Sequence, residues 1–158
     1  MKLSRVCAGL VIAGLTAAAA AGCASGSKMK MGSGDIVADR QRLMKLNGAS
    51  WSEAQAKAKA GNIEGIALNA ETLALTAQHI PSLFPEGSLT DKSKAKPEVW
   101  QKWAEFEAAA KNMEQEAEKL RDAAKAKNAQ MTQDLMKDFG RKACGTCHTP
   151  FRVPPPRS

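Results

Sequence analysis

A chain of 158 residues is long enough for one modest domain and too short for several. Alanine, lysine, glutamate and leucine dominate, aromatics are scarce and tyrosine is absent, and β-branched residues never alternate, which excludes a sheet protein and points to helices. The formal net charge is +7, but acids and bases are interspersed and no basic run carries aromatics, which argues against nucleic acid as a partner.

Residues 1–22 read as an export signal, with Lys2 and Arg5 ahead of the apolar "VCAGLVIAGLTAAAAAG". That stretch is short for a membrane span and rich in alanine rather than leucine. It ends in "AAGC", Ala20 to Cys23, which resembles a bacterial lipobox with Ala20 where leucine is usual. Cleavage before Cys23 would leave its thiol for acylation, and two or three acyl chains would anchor the protein firmly. Ordinary cleavage after Ala21 is the alternative. Either route removes Lys2 and Arg5, lowers the net charge to +5, and predicts a periplasmic protein, membrane-anchored if Cys23 is acylated.

Residues 23–34 read as a flexible linker, and helical periodicity begins after it. Ile36, Arg40, Leu43, Met44, Asn47 and Trp51 share one face of a helix from about Asp35 to Ala60, which ends at Gly61–Asn62. A second stripe, Ile63, Ile66, Ala67, Ala70, Leu73, Ala74, Ala77 and Ile80, stops at Pro81. The turn between them is so short that the two must be antiparallel neighbours. "PSLFPEGSLTDKSKAKPE" then reads as a long loop. Pro97 suits the first turn of a third helix reaching about Lys127. Its seam is Val99, Trp103, Phe106, Ala110, Met113, Ala117, Leu120 and Ala124, at 4-3-4-3 spacing. Asn128 reads as a cap or turn residue. A fourth helix follows with Met131, Leu135, Phe139, Ala143 and Cys147 inward, and Pro150 is expected to end it. Four amphipathic helices that cannot bury their stripes alone predict an all-α, up-down-up-down four-helix bundle. Residues 153–158 form a proline-rich tail.

The chemistry concentrates in "RKACGTCHTPFR", residues 141–152. Cys7 leaves with the signal and Cys23 is far away, so Cys144 and Cys147 are the remaining pair. Zinc would need four ligands, and His148 lies next to Cys147 in sequence, where joint chelation is awkward. A thiol–disulfide couple wants Cys-x-x-Cys at a helix N-terminus, whereas this pair falls near a C-terminus, where the dipole opposes a thiolate. Covalent haem uses what is present: two thiols for two vinyl groups and the next histidine for iron.

The motifs "DRQRLMK", "FPEGS", "AKPEVWQKW" and "CGTCHTPFR", in this order, resemble the cytochrome c-prime family, the class II c-type cytochromes, from about Asp35 to Arg152. The resemblance implies a domain over residues 35–152 with one covalent haem c near one end, held by Cys144 and Cys147, with His148 as axial ligand. It also implies a sixth ligand. In a low-spin branch of the family a methionine stands four residues after a first-helix arginine, and this chain has Arg40 and Met44. Arg40 would then offset the haem propionates, and Phe84 and Trp100 would pack around the macrocycle. Taken alone, a methionine on an apolar helix face is ordinary core filler; Met113, Met131 and Met136 are read that way, and His79 as a surface or capping residue. Arg152 matches a family arginine, but Pro150 intervenes and puts its role beside His148 in doubt.

The expected function is electron transfer by a mono-haem cytochrome, with a periplasmic redox protein as partner and no enzymatic constellation. The alternative is a high-spin, gas-binding haem protein of the same fold in which Met44 only packs. A third reading is a lipid-anchored bundle that never acquires haem. Dimerisation with a second copy stays open.

Overall fold

The computed structural model describes residues 34–155. The expected export signal, Cys23 and nearly all of the expected linker lie outside them. The described chain is helical: α1 Ile36–Lys59, α2 Ile66–His79, α3 Glu98–Gln101, α4 Trp103–Lys125, α5 Ala129–Phe139 and α6 Thr146–Phe151. These make the four arms of an antiparallel bundle: α1, α2, α3 with α4, and α5 with α6. No helix among the described residues is long and apolar enough to cross a membrane.

The ends of the arms follow local chemistry. Asp35 caps α1, its carboxylate accepting from the amides of Val37 at 3.0 Å and Ala38 at 3.1 Å. Gly61 ends it with a positive φ of 73°, so that Asn62 N–H reaches back to Lys57 C=O and Gly61 N–H to Ala58 C=O. Asn128 is the expected cap of α5, accepting from Met131 N–H at 3.1 Å. The third arm's heptad seam is confirmed: seven of its eight positions are buried and Trp103 is partly buried.

Five expectations need correction. The second helix starts at Ile66, because residues 62–65 turn and Gly65 N–H bonds the Asn62 side chain instead. The third arm breaks at Lys102, whose φ of −124° and ψ of 48° are not helical. The first turn is held toward the middle loop by the Trp100 indole N–H, which donates to the carbonyls of Phe84 and Pro85. The fourth arm is interrupted by a π-helical turn, Gly140–Gly145, between α5 and α6. Lys142 C=O in this wider turn accepts from Asn112 Nδ2 of α4 at 2.6 Å and from Thr146 Oγ1 at 2.5 Å, which holds it open. Met131 does not point inward: it is 49% exposed, and neighbouring Thr132 takes the buried place.

Pro150 does not stop the last helix where expected. It lies within α6, and the amide of Arg152 still bonds His148 C=O at 3.2 Å. The chain then extends and pairs with the middle loop: Lys96 N–H bonds Phe151 C=O and Val153 N–H bonds Lys94 C=O, around an antiparallel Ala95–Arg152 bridge.

The core runs mainly between α2 and α4, filled by Ile66, Leu73, Phe106, Leu120 and a set of alanines. α1 is attached differently. Beside the buried Ala54, its contacts with α2 include polar ones: Thr76 donates to Asn47 at 2.6 Å, Ser50 to Asn69 C=O at 3.1 Å, and Lys57 to the Asn69 side chain at 2.7 Å.

Candidate functional site

Between α1 and the fourth arm lies a cavity of about 290 Å³. Val37, Ile80, Phe84, Val99, Phe106 and Phe151 give it an apolar lining. Into the same space come Met44 and Arg40 from α1, and Cys147, His148 and Arg152 from the end of the fourth arm. Of the six expected site residues, four therefore converge. Cys144 is not in the lining; it sits in the π turn, partly buried against the core one turn before Cys147. Cys23 is outside the described residues.

Two aromatic groups frame the region. Trp51 of α1 stacks on buried Phe139 of α5 at 4.7 Å and 25°, a direct tie between the first and fourth arms. On the other side Phe84, Phe106 and Phe151 meet edge to face, at 4.8 and 5.4 Å.

Arg40 is 5% exposed, and its guanidinium is occupied. It donates from Nε to Leu83 C=O at 2.5 Å, from Nη1 to Ser88 C=O at 3.1 Å and from Nη2 to Ser88 Oγ, while lying 4.2 Å from the Phe84 ring centroid. Burial holds its pKa below that of a free arginine. Arg40 thus clamps the middle loop, a role that the sequence did not suggest. Phe84 lines the cavity as expected; Trp100 instead faces a neighbouring surface groove with Trp103 and Pro85.

The titratable groups favour ligation over thiol chemistry. Burial, with Cys144 alongside, pushes the Cys147 thiol up to about 11, and burial alone raises Cys144. Both thiols are therefore protonated at neutral pH and poor redox nucleophiles. His148 is exposed overall, yet desolvation, then the Arg152 charge, holds its pKa below the usual imidazole value. It is neutral at pH 7, with a lone pair for a metal. Among the described residues no three histidine, cysteine or acidic side chains gather to hold an ion, so the zinc alternative has no ligand set there. A flat apolar macrocycle with a central metal fits this lining: rings and branched aliphatics for its faces, the Cys147 thiol and a neutral imidazole from the fourth arm, with Cys144 one turn away in the π turn, and a thioether from α1.

Phe106, Phe151 and Lys45 line the cavity without having been singled out as site residues. The third-arm seam had marked Phe106 as core. Phe151 carried a weaker signal, the one aromatic after the cysteine pair. Lys45 carried none.

A helical bundle with a prosthetic-group cavity between its outer arms belongs to the class that builds cofactor sites from facing helices. The profile of the family described as Cytochrome C' matches residues 35–152, and the chain belongs to that family. It is accordingly a c-type haem protein whose haem is covalently attached. The curated relatives include cytochrome c-554 of Cereibacter sphaeroides, 38% identical over 82 residues, and cytochrome c-556 of Agrobacterium tumefaciens, 29% identical over 120 residues. The first match spans 50% of this chain and about half of that relative (52%), the second 74% and 96%. Among solved structures, cytochrome c' of Rubrivivax gelatinosus aligns with a TM-score of 0.65 at 25% identity, over 75% of this chain and 95% of that one. A nitric oxide complex of a cytochrome c prime variant from Alcaligenes xylosoxidans aligns at 0.68 and 23%, over 77% and 96%.

Proposed function

We propose that the protein is an exported mono-haem cytochrome that transfers electrons, with Cys144 and Cys147 bound to the haem and His148 and Met44 as its axial ligands. The observation that carries this reading is that Met44 and His148 line one apolar cavity from different arms of the bundle. Cys144 and Cys147 would each hold the group through a thioether, the S–H having added across a vinyl with one C–S and one C–H bond formed and no net oxidation. The bound group supplies an iron centre that takes up and gives up one electron. The residues set its properties: a neutral imidazole and a soft thioether favour a high potential, and the apolar lining excludes water. Arg40 holds the middle loop over the cavity.

Gas binding is the competing reading, supported by the nitric oxide complex of the Alcaligenes xylosoxidans neighbour and by the partial burial of Met44. The visible spectrum of purified holoprotein separates the two. A sharp low-spin α band in the reduced state that resists carbon monoxide supports His/Met ligation; a broad high-spin spectrum that shifts with carbon monoxide refutes it.

The domain boundaries and location belong to the same proposal: signal 1–22, linker 23–34, haem domain 35–152 and tail 153–158, in the periplasm, with Cys23 as lipid anchor. Intact mass of membrane-extracted protein should show a diacylglyceryl cysteine at the N-terminus; a mature chain starting elsewhere without lipid mass refutes the anchor. Dimer formation is part of the reading as well, since one neighbour is a cytochrome c' with ligand-controlled dimer dissociation.

A further inference from the structure

The cavity mouth carries unbalanced charge. Lys45, Lys94 and Arg152 all line the cavity and are themselves exposed, so they stand at its lip beside His148. Lys96 joins them, its Nζ donating to Thr149 C=O at 3.1 Å. Among the described residues none of these four has a carboxylate partner within ion-pair distance.

The flanks of the bundle differ. There the basic residues are paired within a helix turn, as in Lys57 with Glu53, Lys111 with Glu114, Lys119 with Glu116 and Arg141 with Asp138. Away from the mouth and its loop, Lys59 and Lys125 lack such partners; each sits in a last helical turn, where the helix dipole offsets it. Asp91, Glu86 and Glu98 belong to the middle loop region, but none lines the cavity.

Haem c brings two propionates of its own. They can balance at most two of four rim charges, and Arg40 is already committed to Leu83 and Ser88. A positive surplus therefore remains at the mouth of the cavity that would hold the cofactor.

We infer that the rim of Lys45, Lys94, Lys96 and Arg152 is the docking surface for an acidic face of a one-electron redox protein. The inference rests on the electron-transfer reading above. One electron passes between the two proteins' centres, with no proton or group transferred. Charges focused at the lip of a low-dielectric cleft steer an oppositely charged partner and speed encounter by roughly 10–10³-fold at low salt.

The test uses holoprotein and two charge-reversed variants with the same net change. Lys45→Glu/Lys94→Glu alters the rim; Lys59→Glu/Lys125→Glu alters unpaired lysines at the other end of the bundle. Polyglutamate, probed by calorimetry at low salt, should bind the parent and the Lys59/Lys125 variant but bind the rim variant about tenfold more weakly. In stopped flow, anionic ferricyanide should oxidise the rim variant about tenfold more slowly than either of the others, and cationic tris(phenanthroline)cobalt should do the reverse. Equal behaviour of the two variants would show a net-charge effect and overturn the inference. So would a parent that ignores polyglutamate yet binds phosphatidylglycerol vesicles through the same lysines, which would make the rim a membrane contact. A high-spin parent would defeat the electron-transfer reading separately, while polyglutamate binding still reports on the surface.

Discussion

Three methionines give a sharp test of the ligand assignment, because burial and proposed role separate in them. Met113 is 6% exposed in the core, Met131 is 49% exposed, and Met44 is partly buried and lines the cavity. Truncation to alanine removes the equivalent of about three methylenes. At about 0.8 kcal/mol per buried methylene, Met44→Ala should cost about 1–2 kcal/mol, since only part of the side chain is buried. Met113→Ala should cost about 2–5 kcal/mol, and Met131→Ala less than about 0.5 kcal/mol. The spectra should rank them differently. Only Met44→Ala should turn a sharp reduced α band into a broad high-spin one and open the iron to carbon monoxide. The assays are urea denaturation and the reduced visible spectrum of each holoprotein. A Met44→Ala protein that stays low-spin would refute the reasoning, as would spectral change that tracked lost stability, with Met113→Ala the more affected.

Replacing Cys144 and Cys147 by alanine should let haem extract into acidified organic solvent, while the parent retains it; free extraction from the parent would end the proposed attachment. Arg40→Lys keeps a charge but loses the fork that bonds Leu83 and Ser88, so stability should fall by about 2–4 kcal/mol and limited proteolysis should begin in residues 84–95. Bonding from Lys111, and secondarily from Gln78, holds the Glu114 carboxyl below the ordinary range. Its contribution to stability is thus complete above the unfolded pKa of about 4.3 and is lost as pH falls toward the folded value. Glu114→Gln should flatten the acid limb of a stability–pH curve below about pH 5 and leave its slope at pH 7 unchanged.

The parts of the molecule legible in the sequence are those set by periodic burial. The seam from Val99 to Ala124 was readable because nearly every member faces one continuous core. Met131 misled because the same spacing holds at a helix's first turn, where Thr132 and not Met131 meets α4's side of the bundle core. Long-range hydrogen bonds were not readable. The break at Lys102 and the π turn depend on Trp100 reaching Phe84 and Asn112 reaching Lys142, partners 16 and 30 residues away. Arg40 is the clearest case: its spacing from Met44 suggested a partner for the propionates, while its donors go to a loop more than 40 residues on. The cysteine–histidine cluster was legible because its chemistry is written in adjacent residues.

The polar attachment of α1 bears on how the protein is made. α1 is tied to α2 by Asn47, Ser50 and Lys57 beside the buried Ala54, and to the fourth arm by Trp51 on Phe139. On the other side of it lies the cavity, so much of the apolar surface that would seat it belongs to the prosthetic group. Haem loading and seating of the first arm would then be coupled. Without haem, α2 and α4 would still share the main core, while α1 would lose the filled cavity on its other side and leave Cys147 easier to reach. A chain that misses its haem should therefore be cut by added protease within α1 sooner than the loaded one.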